Sequence, residues 1–130
     1  MNLFKNENFV SAAGLNLNYK IECDALTDED LEAIAAIVAP QLKPFWCVVG
    51  VPTGGARMVK FFEKYRTLEW YGENFSALIV DDVWTTGKSL LEFKDREGWE
   101  GSKNWHGFVI FNRNVNPLPE NIKSLMTVNF

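Results

Sequence analysis

Cysteine, histidine and proline are scarce in this 130-residue chain, with two, one and five copies. Cys23 and Cys47 lack the short paired spacing of a zinc site, and the single histidine, His106, is remote from both in sequence. Two reduced thiols packed as small hydrophobes are therefore expected. Basic excess is also absent: 13 Lys and Arg face 17 Asp and Glu, giving a net charge of −4 and a pI near 5.0. Binding a phosphate backbone needs a clustered basic surface, so a nucleic-acid partner is excluded as a function class, while a local anion pocket is not. No run of about 18 apolar residues offers a membrane span, and the start MNLFKNENF lacks the basic residues and apolar stretch of a signal peptide. A cytoplasmic address is expected. Internal repeats and low-complexity tracts are absent as well.

What is present is core material, 47% hydrophobic and 14% aromatic, enough for one domain over residues 1–130. The most informative stretch is LIVDDVWTTGKSL at 78–90. Leu78, Ile79 and Val80 suit a strand buried on both faces of a parallel sheet. Asp81 and Asp82 are expected to end that strand, because carboxylates are almost never buried unless they are paired or hold a cation. Thr85, Thr86, Gly87, Lys88 and Ser89 supply hydroxyls, a glycine able to take positive φ, and the start of a helix over 89–97. Free N–H groups at such a start form an anion site.

Around this stretch the chain alternates strand and helix. LNLNYKIEC at 15–23 alternates as a half-exposed strand, with Leu15, Leu17, Tyr19, Ile21 and Cys23 on one face. Thr27 and Asp30 form a capping box for a helix reaching about Val38, with Leu31, Ile34, Ala35 and Val38 as its buried stripe. WCVVGV at 46–51 reads as a buried strand, followed by the loop Pro52, Thr53, Gly54, Gly55 and a helix over 56–65. A short strand is expected over 67–71, and further strands over 107–111 and 122–128. The pattern predicts an α/β fold with a doubly wound, mainly parallel sheet and a small N-terminal hood. Hood and first helix would occupy about 9–40, and the core about 45–130.

Three loops converge on one sheet edge in this arrangement: 52–56, 81–89 and 112–114. Open α/β sheets bind ligands at that edge, and glycines let N–H groups approach a diphosphate. A Walker loop is excluded although Gly87, Lys88 and Ser89 fit its end, because its first glycine falls on Asp82, whose carboxylate would repel the phosphates. A receiver domain is excluded by position, since its acidic pair should end the first strand and only 48 residues follow Asp82.

These residues resemble the type I phosphoribosyltransferase family, whose signature is an apolar strand, two acids, two further residues, Thr-Thr-Gly and a small residue. GVPTGG is similar to the family's diphosphate loop. FVSAAGLNLNYKIE and IKSLMTV are similar to the hood and last strand of orotate phosphoribosyltransferases, the nearest members. The resemblance implies transfer of ribose 5-phosphate from phosphoribosyl diphosphate to a pyrimidine-like base such as orotate. It assigns Asp81 and Asp82 to the ribose hydroxyls and, mostly indirectly, to Mg²⁺. Val83, Thr85, Thr86, Gly87, Lys88 and Ser89 would hold the 5′-phosphate, and Pro52, Thr53, Gly54 and Gly55 the diphosphate. Arg113, Tyr19 and Lys20 would meet the base.

Departures from the family pattern are equally definite. Only 25 residues separate Gly55 from Asp81, too few for the usual helix, strand and long closing loop. The trimmed connection offers Glu69 and Glu73 but no basic side chain. Gly54 stands where the orotate enzymes usually carry lysine, Leu15 and Leu17 replace a basic residue and a serine, Asn112 replaces an aspartate, and Lys88 replaces a small residue. Two functions therefore remain open: a minimal transferase of pyrimidine metabolism, and a non-catalytic protein that binds phosphoribosyl diphosphate or a nucleotide. The five tryptophans and ten phenylalanines either fill the core or include a patch used by a homodimer.

Overall fold

A computed structural model describes residues 3–5, 9–10, 16–17, 20–67, 76–97, 104–114 and 116–128. Four two-residue strands come first: β1 (Phe4–Lys5), β2 (Phe9–Val10), β3 (Asn16–Leu17) and β4 (Lys20–Ile21). β1 pairs antiparallel with β4, and β2 with β3. The alternation over 15–23 thus does not make one strand. Its two halves take different partners from the first residues of the chain, and after Ile21 the ladder gives way to a 3₁₀ turn, Cys23–Ala25. Leu15 and Tyr19 lie outside the described residues.

Helix α1 (Asp28–Val38) starts at the predicted capping box. Thr27 Oγ1 accepts from the Asp30 N–H at 3.1 Å, and Asp30 Oδ2 accepts from the Thr27 N–H at 2.9 Å. Such a cap contributes about 1 kcal/mol. Leu31, Ala35 and Val38 are its buried positions. The chain then enters β5 (Phe45–Gly50) and a helical path that is 3₁₀ over Gly55–Met58, α-helical only in α2 (Val59–Phe62), and 3₁₀ again over Glu63–Tyr65. β6 (Ser76–Trp84), α3 (Lys88–Arg96), β7 (Trp105–Asn112) and β8 (Ile122–Thr127) complete the order. The strand predicted over 67–71 lies outside the described residues apart from Thr67.

β5, β6, β7 and β8 form a parallel sheet in that order. Alternate residues of its central strands feed two cores. Leu78, Val80, Phe108 and Ile110 pack with Leu31, Ala35, Met58 and Phe62, whereas Ile79 and Val109 pack with Leu90 and Phe93. Helices α1 and α2 therefore cover one face and α3 the other, the doubly wound α/β arrangement expected. β6 does not stop at Asp81. It runs on to Trp84 because β7 stays in register beside it, with Asp81 opposite Val109 and Trp84 opposite Asn112. No helix among the described residues is long and apolar enough to cross a membrane.

At the amino end of the sheet, Ser76 Oγ and His106 Nδ1 make a buried hydrogen bond. Burial, and secondarily the Lys43 ammonium, hold the imidazole down to about 4, from an ordinary 6.5. The unfolded chain thus binds the extra proton first, and stability contributed by neutral His106 is lost as pH falls from about 6.5 to about 4. The loss is on the order of 3 kcal/mol. In urea titrations across that range, His106→Gln should flatten this part of the profile, and a variant parallel to the wild type would contradict it.

Candidate functional site

The loop after β5 lies flat against β6. The Val51 N–H bonds to the Val80 carbonyl at 2.9 Å, and the Gly55 N–H closes the turn onto the Val51 carbonyl at 2.8 Å. The Pro52–Thr53 peptide is cis. A Cβ on Gly54 would collide with the Asp82 carboxylate, and one on Gly55 with the Val80 carbonyl oxygen. Gly55 is therefore required by close approach to backbone rather than by backbone angle, and Gly54 leaves the space that the Asp82 carboxylate occupies. The predicted diphosphate loop and the predicted ribose acids are in this way brought into contact.

The two acids differ sharply. Asp81 is only 6% exposed, and its Oδ1 accepts from the Asp82 N–H at 2.8 Å. Burial, and then the neighbouring Asp82 charge, push its carboxyl up to about 8. Asp81 is consequently a much weaker acid than an ordinary aspartate. Asp82 is half-buried, and its Oδ1 accepts from the Val83 N–H at 2.8 Å. It also accepts from the Cys23 thiol, which burial and the Asp82 charge keep protonated well above the ordinary thiol range. Cys23 is carried there by its 3₁₀ turn, which Arg57 fastens: Nη1 donates to the Cys23 carbonyl at 3.2 Å and Nη2 to the Leu26 carbonyl at 2.8 Å.

Past β6, Gly87 takes φ +84° and caps α3, and its missing Cβ leaves room for the Trp84 ring. Glycine does this without strain. The Lys88 N–H reaches Thr86 Oγ1 at 3.4 Å, and no side chain caps the helix. The first-turn N–H groups of this nine-residue helix lack intrahelical partners, an arrangement that favours an anion. The loop after β7 is tied to this one: the Arg113 N–H bonds to the Trp84 carbonyl and Asn114 Nδ2 to the Thr85 carbonyl, both at 2.8 Å.

Pro52, Thr53, Gly54, Gly55, Asp81, Asp82, Thr85, Thr86 and Gly87 thus gather at the carboxyl ends of β5 and β6. Lys88 and Ser89 are exposed at the start of α3. Val83 packs its side chain on the core shared with α1 and α2, and its N–H is taken by Asp82 Oδ1. Arg113 is half-buried at the end of β7. Tyr19 lies outside the described residues, as do Glu69 and Glu73, and Lys20 is placed only as part of β4. The trimmed connection is bounded by its ends. The Thr67 N–H bonds to the Phe45 carbonyl, and Ser76 pairs with Phe45, so both ends sit at the amino end of β5.

Three contributors escaped sequence reasoning. Nothing local marks Cys23 as a partner of Asp82, or Arg57 as the tie between loop and hood. Asn114 had a signal, since asparagines at 112, 114 and 116 repeat at the spacing of Asx turns. Asn112 Oδ1 does accept from the Asn114 N–H, and Asn114 Oδ1 from the Asn116 N–H, each at 2.9 Å. Among the described residues no three His, Cys, Asp or Glu side chains gather as a metal cage.

The Gly54 contact predicts a coupling. Gly54→Ala should cost about 1–3 kcal/mol in the wild type by overpacking, and at least ~0.5 kcal/mol less in an Asp82→Ala background. Urea unfolding of the four proteins measures it, and equal cost in both backgrounds would mean that the carboxylate does not fill that space.

No family model matches the sequence, and no curated protein matches it. Solved structures do. Orotate phosphoribosyltransferase from Aeropyrum pernix superposes with a TM-score of 0.61 at 21% identity, over 85% of this chain and 76% of that one. The Mycobacterium tuberculosis orotate phosphoribosyltransferase gives 0.65 at 12%, over 96% and 89%. Leishmania donovani UMP synthase gives 0.70 at 15%, over 97% of this chain and 34% of that longer one. In fold, this chain is phosphoribosyltransferase-like, similar to the orotate phosphoribosyltransferases.

Proposed function

We propose that this chain transfers ribose 5-phosphate from phosphoribosyl diphosphate to a pyrimidine-like base such as orotate, releasing diphosphate. The observation that supports the reading is the contact between Gly54 and Asp82, which sets a glycine loop suited to diphosphate against acids suited to a ribose diol. In this reading Asp81 and Asp82 take the ribose hydroxyls, and residues 85–89 take the 5′-phosphate through N–H groups and hydroxyls. Pro52, Thr53, Gly54 and Gly55 hold the leaving diphosphate. Arg113, with Tyr19 and Lys20 of the hood, would meet the base. The base nitrogen displaces diphosphate at the anomeric carbon, and the chain contributes positioning and charge stabilisation without a covalent nucleophile.

Mg²⁺ fits the donor set. Two hard carboxylates without a third protein ligand suit an ion that keeps its waters and is bound largely through ligand oxygens. Asp81 and Asp82 would hold it indirectly, and the ion would neutralise diphosphate charge. A single domain with a hood over 9–40 and a core over 45–130, a homodimer and a cytoplasmic address belong to the same proposal.

A second reading, binding without turnover, is favoured by the length of the connection, since only 25 residues separate Gly55 from Asp81. Without the family's long closing loop, water would be poorly excluded and the departing diphosphate would lack cationic support. One assay separates the two: diphosphate release from phosphoribosyl diphosphate and Mg²⁺ over a panel of bases. Release should be lost by about 10²-fold or more in Asp82→Asn, whereas binding without release for every base would leave only the second reading. Calorimetry should further show Arg113→Ala weakening the base and sparing phosphoribosyl diphosphate. Equal loss of both would remove Arg113 from the base subsite.

A further inference from the structure

The Asn114 side chain is held at both ends. Its Nδ2 donates to the Thr85 carbonyl at 2.8 Å while its Oδ1 accepts from the Asn116 N–H at 2.9 Å. Its own N–H is bound by Asn112 Oδ1 at 2.9 Å. Asn112 is itself buried, its Nδ2 3.5 Å from Thr127 Oγ1 and its carbonyl accepting from the Val128 N–H at 2.8 Å. A rigid chain of asparagines therefore runs from the β7–β8 edge to a single carbonyl of the phosphate loop.

That carbonyl matters because residues 85–87 form a bend outside both β6 and α3. No ladder or helix hydrogen bond fixes the plane of the Thr85–Thr86 peptide. Among the described residues only Pro52–Thr53 is cis, so the Thr85–Thr86 peptide is trans and planar, and its C=O and N–H point in opposite directions. Fixing the carbonyl toward Asn114 fixes the Thr86 N–H away from it. Were the plane to flip, a carbonyl dipole would face any anion at the start of α3 and a donor would be lost.

We propose that Asn114 is a positioning residue that aims the Thr86 N–H at the 5′-phosphate, a role that rests on the phosphoribosyl reading above. Because Arg113 is its chain neighbour and bonds to the Trp84 carbonyl, the same link keeps the phosphate and base loops in register.

The test uses the ¹⁵N-labelled full chain, with ribose 5-phosphate and a pyrimidine nucleoside as probes. Asn114→Asp keeps the acceptor for Asn116 but replaces the donor with a charge facing the Thr85 carbonyl, and Asn114→Ala removes both. Ribose 5-phosphate affinity should fall about tenfold in Asn114→Ala and further in Asn114→Asp, with nucleoside affinity changed less than about twofold. In the wild type, ribose 5-phosphate should move the Thr86 amide proton downfield, and Asn114→Asp should abolish that shift. Independently of any probe, the Asn114 side-chain amide protons should exchange slowly in the wild type. Fast exchange would overturn the hydrogen bond and the proposal together, even if neither variant folds. Slow exchange with tight binding that both variants leave unchanged would overturn the positioning role alone. Slow exchange with no binding of ribose 5-phosphate by the wild type would overturn the phosphoribosyl reading and the role with it.

Discussion

The Asp82 carboxylate fills the volume that a side chain at position 54 would need, and the geometry of the site follows from that contact. A loop can lie so close to a neighbouring strand only where its residues have no Cβ, and Gly54 and Gly55 supply that against Asp82 and Val80. The contact is backed by a backbone bond from Val51 to Val80, so the ends of β5 and β6 and the start of the helical path are fixed together. Arg57, two residues beyond Gly55, then carries the constraint outward by holding the Cys23 and Leu26 carbonyls. Loop, acids and hood are thereby one mechanical unit, built around a carboxylate that has lost much of its water.

Two adjacent acids sit at this depth with their side chains close enough to act on one another. Asp82 shares its side with Leu78 and Val80, which face α1 and α2, and there it meets Gly54 and the Cys23 thiol. Burying two full charges so close together would cost far more than the fold can recover. Burial and the neighbouring Asp82 favour the neutral form of Asp81, which lowers that cost.

The parts legible in the sequence were those whose cause is local. The capping box at Thr27 needs only Asp30, the positive φ at Gly87 needs only a turn before a helix, and the buried run 78–80 shows its two-sided burial in composition. What escaped depends on partners distant along the chain. β6 continues through Asp81 and Asp82 because β7 extends beside it, which no feature of 78–84 reveals. The alternation over 15–23 is real, but its two halves pair with β2 and β1, and alternation does not name a partner. The tie from Asn114 to Thr85 spans 29 residues; the Asx spacing hinted at a bound loop without saying what it would bind.

The glycine loop and the described ends of the β5–β6 connection lie at opposite ends of β5. The groups suited to a phosphorylated ribose sit on loops at the carboxyl ends of β5 and β6. The connection that would have to cover them starts and finishes level with Phe45. Of the described cations at that edge, Arg57 is engaged by two carbonyls and approaches Asp24 at 3.8 Å, Lys88 is exposed at the phosphate end, and Arg113 is half-buried at the end of β7. In the proposed reaction, charge developing on a departing diphosphate would be met by oriented N–H groups of the glycine loop, by a divalent ion, or by side chains from a second polypeptide. The first of these is weak when water has free access, since a dipole in high dielectric stabilises little. In the proposed reaction, turnover would accordingly depend on what arrives with the substrate, whereas the shape of the loops depends on contacts the chain makes with itself.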